Sequence, residues 1–200
     1  ASVLGALRRV VELQRVTLTA CLAVSSRGRE GIEELARQTA QLLNARPVEP
    51  QLFDRQIAFN LLARASAEMA DGHARDERRL AEELGELLGD AQLPVAATCV
   101  QAPVFFGDSL AVSLLCREPV DLAVVRHCLD DAEALERVEQ GDYPTVVGDA
   151  LGQDLTYVGR VRTGLQDPRE LNLWIASDNV RKGSALNAVQ LAELLLKAPL

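Results

Sequence analysis

Two features have residue types and spacing that could do chemistry. The first is a loop of small residues, Ser25-Ser26-Arg27-Gly28, ahead of a segment in which Ile32, Leu35, Thr39, Leu42 and Leu43 recur at helical spacing. Unpaired N–H groups at a helix start point outward and can hold an anion. No GxGxxG or GxxxxGK[ST] pattern is present, so a plain cap and turn accounts for the same spacing. The second is Cys21, between an alternating segment and that loop. A nucleophilic thiol is activated by a neighbouring base or cation, and no His lies near it in sequence, so it reads as a core thiol.

Other candidates carry less. Cys99, Cys116 and Cys128 also lie in apolar or alternating segments and form no CxxC pair, which predicts reduced core residues and a cytoplasmic compartment. His73 and His127 stand far apart and without the acidic or thiolate spacing of a ligand set around them, so no metal site is predicted.

The elements that must position these groups follow from periodicity. Val95 to Ala102 alternates, Pro103 marks the end of that strand, Gly107 permits a sharp turn, and Ser109 to Cys116 resumes a strand. Val16 to Ser25 also reads as a strand, with Val16, Leu18, Ala20, Leu22 and Val24 on one face. Helices are predicted over Val3–Leu13, from about Gly28 to Asn44, over Arg75–Leu88 with Leu80, Leu84, Leu87 and Leu88 buried, over Val120–Leu129 with Asp121 as N-cap, and over Ala185–Lys197. Phe53–Leu62 is expected to be extended, Asp130–Gln140 helical at the surface, and Thr156–Thr163 and Leu171–Ala176 a pair of strands around the Asp167-Pro168 turn. Strands next to strands, without regular helical crossovers, argue for an α+β domain.

The composition is that of one globular domain: 200 residues, 48% apolar and 25% charged. A net charge of −8 argues against a nucleic-acid surface, which needs a basic stripe to neutralise phosphates. No apolar run reaches the ~18 residues of a membrane span. The chain opens without Met directly into a helical pattern, which leads us to expect a piece cut from a longer protein. The Ala185–Lys197 pattern is apolar nearly all round, as in a helix held between two layers or under another domain.

Several segments resemble the aspartate-semialdehyde dehydrogenase family. The stretch TCVQAPVFFGDSLAV is similar to the family's CVRVPVxxGHSEAV segment, sharing Cys99, Val100, Pro103, Val104, Gly107, Ser109, Ala111 and Val112. Thr19–Gly28 resembles its TYQAVSGAG turn, Phe59-Asn60 its FNVIP segment, and Gly141–Arg162 its GDYPTP…VGRIR stretch. The match is most specific in SDNVRKGSALNAVQLAE, Ser177–Glu193. The departures point to the divergent Usg-type bacterial relatives.

The resemblance implies a C-terminal catalytic and dimerisation domain spanning residues 1–200: a mixed, largely antiparallel sheet with helices on one face and a homodimer contact on the other. Helix 185–197 is expected to pack on an N-terminal dinucleotide-binding domain of the same protein, which would supply NADP. In such enzymes a Cys thiolate attacks an aldehyde, hydride passes to NADP, and phosphate releases the acyl group. The nucleophile would fall just upstream of Ala1. The supporting Gln aligns with Leu22, the carboxylate-binding Arg with Gln101, and the acid/base His with Asp108. Leu cannot hydrogen-bond, Gln cannot make the charged fork of Arg, and an ordinary Asp, with a pKa near ~4, is a poor base. Asp76 and Arg79 align with groups that contact substrate and phosphate; otherwise they read as a solvated helix face. Asn187 aligns with an Asn near the nicotinamide in such enzymes, and otherwise reads as a helix residue bonding a neighbouring backbone; Ser25 and Gly28 of the resembling turn are the other candidate cofactor contacts. The expectation is a dimerising domain without the usual dehydrogenase activity. The other reading is an active NADP-dependent semialdehyde dehydrogenase of amino-acid biosynthesis with an altered substrate.

Overall fold

In the computed structural model, which describes residues 1–197, one six-stranded sheet organises the chain. The elements run α1 (Ser2–Leu7), β1 (Leu13–Leu22), α2 (Gly28–Leu43), α3 (Arg75–Leu87), β2 (Val95–Gln101), β3 (Asp108–Cys116), α4 (Leu122–Asp130), β4 (Leu135–Arg137), β5 (Thr156–Thr163), β6 (Glu170–Ser177) and α5 (Asn187–Lys197). The strand order is β2-β1-β3-β6-β5-β4. The β1–β3, β3–β6 and β5–β6 pairings are antiparallel, and the β1–β2 and β4–β5 pairings are parallel. This is the expected mixed, largely antiparallel α+β sheet.

Register explains why the faces differ. Ala20 sits opposite Cys99 and Leu110, and Leu110 opposite Ile175. That row, with Leu18, Val112, Leu114 and Leu173, forms one core with Val3, Leu4 and Leu7 of α1, Leu84 of α3 and Val125 and Leu129 of α4. These helices therefore cover a single face. On the other face, Thr17, Thr19 and Ala111 stay exposed over β1 and β3. Over β6 it is covered by the segment around Val146 and Ala150, which packs on Ala176. α2 lies apart, with Leu35 against Val24, Ile57, Ala58 and Leu62.

Five local expectations are corrected. The first strand ends at Leu22, because Ala23 N–H turns to the Asp108 side chain and Val24 N–H to the Val104 carbonyl; residues 24–27 form a 3-10 turn. α1 stops at Leu7, six residues short of Leu13, where β1 already begins. Phe53–Leu62 forms no strand: Leu62 alone bridges Gln101, and Gln38 Oε1 accepts from Ile57 and Ala58 N–H. The acidic 130–140 stretch is not a helix, for buried Leu135 pairs β4 with β5. In α3, Leu87 is exposed rather than buried.

Candidate functional site

The ends of β1 and β2 and the start of β3 meet at one place, because β1 pairs with both of the other strands. Leu22 lies opposite Gln101 in the parallel pair. Gln101 Nε2 donates to the Leu22 carbonyl at 2.8 Å, and that carbonyl also accepts from Ala102 N–H. One bond further on, Ala23 N–H donates to Asp108 Oδ1 at 2.8 Å. Gln101 and Asp108 therefore hold the same peptide unit, one at its carbonyl and one at its amide.

Both side chains have acceptor capacity left over. Gln101 is 1% exposed and its Oε1 has no hydrogen-bond partner. Asp108 Oδ2 takes no hydrogen bond among the described residues. Burial pushes the Asp108 pKa up to about 6, against the Ala23 N–H bond that lowers it and with a further rise from the nearby Asp178 carboxylate. Asp178, 4% exposed, is held in place by N–H donors from Gly152, Val180 and Arg181.

Asp108 and Leu22 open onto a cleft of about 840 Å³ between the core face of the sheet, α1 and α3. Asp76 and Arg79 of α3 line it, and Arg79 Nε donates to Glu83 Oε1 at 2.5 Å. Aliphatic groups, among them Leu80, Leu110 and Ile175, line the space between. Ala1 and Ser2 also line the cleft. Two residues were not singled out from the sequence. Arg75 and Arg27 line the cleft too, Arg27 with a guanidinium N–H donating to the Ala65 carbonyl. A signal for Arg27 was available: it is the cation inside the Ser25–Gly28 loop.

Ser25, Gly28 and Asn187 do not line this cleft. Ser25 Oγ exchanges hydrogen bonds with the Asn179 carboxamide, whose Oδ1 also accepts from Gly107 N–H at 2.9 Å. Gly28 has φ of +68° and no atom within 4 Å of where a Cβ would sit, so its backbone is open to close approach. Asn187 is exposed at the start of α5. Cys21 lies on the opposite sheet face from Leu22, and burial, then the Asp108 charge, raise its pKa; it is held as a thiol rather than a nucleophilic thiolate. Among the described residues no group of three or more His, Cys, Asp or Glu is placed to hold a metal ion, and no helix is long and apolar enough to cross a membrane.

A family model described as the semialdehyde dehydrogenase dimerisation domain matches residues 4–182. The chain is 64% identical to a USG-1 protein homolog of Pseudomonas aeruginosa, over 98% of this chain and 58% of that protein. It superposes on a solved structure of a probable aspartate-semialdehyde dehydrogenase from Pseudomonas aeruginosa with a TM-score of 0.96 at 64% identity, covering 99% of this chain and 59% of that one. It also superposes on aspartate semialdehyde dehydrogenase II from Vibrio cholerae, solved in complex with ASA, with a TM-score of 0.95 at 39% identity, covering 99% and 59%. The chain thus spans under three fifths of the length of these relatives.

Proposed function

The chain belongs to the semialdehyde dehydrogenase dimerisation-domain family, and from that premise we propose that it is the C-terminal domain of a homodimeric aspartate-semialdehyde dehydrogenase-like protein without the usual dehydrogenase activity. One observation carries the reading. The positions of the family's carboxylate-binding Arg and acid/base His, Gln101 and Asp108, are bonded to the Leu22–Ala23 peptide unit. At the third position, Leu22 presents an aliphatic side chain to the cleft. Groups that would grip substrate and shuttle a proton are here fastening the backbone. Removing a single interaction made mainly in the transition state costs on the order of 2–4 kcal/mol, or about a hundred- to a thousandfold, and losses at neighbouring groups do not simply add.

The rest of the frame supports the assignment. The exposed Thr17, Thr19 and Ala111 surface is a sheet face available to a second copy. Leu191, Leu194 and Leu195 of α5 are exposed, as suits a helix that packs on an N-terminal dinucleotide-binding domain. Ala1 lines the cleft, so a Cys just upstream would enter it. NADP bound by that N-terminal domain would lie against Gly28 and Asn187, with Ser25 positioned by Asn179.

A second reading has an observation of its own. Burial raises Asp108 toward 6, which makes it a more capable proton acceptor than an ordinary carboxylate. On that reading the protein is an active NADP-dependent dehydrogenase of amino-acid biosynthesis, taking an aldehyde with a less acidic side chain. Phosphate-dependent NADP reduction by the intact protein, beside a Leu22→Gln, Gln101→Arg, Asp108→His variant, separates the two. A silent parent with a revived variant supports the first reading, and an active parent overturns it.

A further inference from the structure

The cleft is electrostatically polarised. Arg27, Arg75 and Arg79 stand among its lining on α3 and the loop before α2, with Asp76 and Glu83 beside them, so the arginines outnumber the carboxylates at this end. Arg79 is partly answered by Glu83, whereas the hydrogen bond of Arg27 goes to a neutral carbonyl and leaves its charge uncompensated. At the sheet end, the polar atoms without partners are acceptors. Asp108 lines the cleft beside Leu22 with its Oδ2 unbonded among the described residues, and the unpartnered Gln101 Oε1 is buried on the sheet face that Leu22 shares. The other polar atom of each is engaged: Asp108 Oδ1 accepts from Ala23 N–H and Gln101 Nε2 donates to the Leu22 carbonyl. A buried acceptor without a donor is costly, and a carboxylate beside it repels any incoming carboxylate. The aliphatic groups between, Leu80, Leu110 and Ile175, offer nothing to a polar middle.

We propose that this cleft binds an amphiphilic ligand with an anionic head at the arginines, a short aliphatic middle, and a terminal ammonium or hydroxyl that donates hydrogen bonds to Asp108 at the sheet end. The ligand class is the reverse of a dianion at its far end. The inference rests on the reading of Leu22, Gln101 and Asp108 as positions emptied of the family chemistry. It concerns what the site holds rather than whether it turns over.

The test is a matched four-carbon series on the intact protein by titration calorimetry at pH 7.5: 4-aminobutyrate, 4-hydroxybutyrate and succinate, with inorganic phosphate as a probe of the arginine end alone. The amino and hydroxy members are expected to bind at least about tenfold tighter than succinate, as the worth of a charge-assisted hydrogen bond dictates. Asp108→Asn should abolish the preference for the amino member. Arg79→Ala should weaken all three equally. Succinate binding as tightly as the others overturns the proposal, and so does a series in which neither the amino nor the hydroxy member binds. The dehydrogenase assay is read separately: activity with aspartate semialdehyde would overturn the inactive reading, while the rank order of the ligands decides this one.

Discussion

Gln101 and Asp108 grip one peptide unit from its two ends, the former donating to the Leu22 carbonyl and the latter accepting from Ala23 N–H, each at 2.8 Å. The consequence is a β1 terminus fixed by side chains that come from two different neighbouring strands. It also decides where β1 stops, since an N–H bonded to Asp108 cannot continue a ladder.

The first prediction follows from the buried orphan. Gln101→Leu removes the bond to Leu22 but also removes an unsatisfied acceptor, and the Leu22 carbonyl keeps its bond from Ala102. The two effects oppose each other at about 1 kcal/mol each. Urea unfolding should therefore find the variant within about 1 kcal/mol of the parent, and a large loss would mean that Oε1 has a donor in solution.

The second concerns pH. The folded-state pKa of Asp108 is raised from the ordinary 3.8 to about 6, so the folded form holds the proton more tightly than the unfolded chain in that window. Its contribution to stability is fully present below about pH 4 and is lost as pH rises through about 6, a swing on the order of 3 kcal/mol. Asp108→Asn keeps an acceptor for Ala23 N–H and carries no charge. It should be more stable than the parent at pH 7.5 and close to it near pH 4, by denaturant unfolding at both values. A difference that does not change with pH would contradict this.

The third concerns the turn that delivers Asp108. Gly107 has φ of +86°, and a Cβ there would lie 2.7 Å from Val146 Cβ. Gly107→Ala combines a left-handed backbone with a steric clash and should cost on the order of 2–4 kcal/mol in thermal or urea unfolding. A neutral outcome would mean that the 144–150 segment gives way freely.

A fourth tests the outer sheet face. Ala111 lies on β3, the strand flanked by β1 and β6, and is exposed. Ala111→Arg should leave the fold intact, because exposed substitutions alter stability by only about 0.5 kcal/mol. It should convert the intact protein from dimer to monomer in light scattering after gel filtration. A variant that remains dimeric would place the contact elsewhere.

What could be foreseen from the sequence divides along a physical line. Alternation placed Val16, Leu18 and Ala20 on the core face, and Asp121 was legible as a cap because capping is local: its Oδ1 accepts from Ala123 N–H at 2.8 Å. The errors fall where a distant side chain captures a backbone donor. Ala23 N–H is taken by Asp108, 85 residues away, and Ile57 N–H by Gln38, 19 residues away. β4 was missed because its three residues owe their pairing to Val158 and its neighbours, not to a pattern of their own. At the site, the family motif located Leu22, Gln101 and Asp108 as substitutions. That two of them would be bonded to one peptide unit, and that Arg27 and Arg75 would join Arg79, emerged only from the packing of β1, β2 and α3.

The most direct measurement is the steady-state rate of the intact protein with aspartate semialdehyde, phosphate and NADP, across pH 5 to 9, beside the Vibrio cholerae relative. The account predicts a rate at least about a thousandfold below that relative at every pH, since two of the three replaced groups are spent on the backbone. A rate within about tenfold, rising with pH through a limb near the Asp108 value of about 6, would contradict it and make Asp108 the working base.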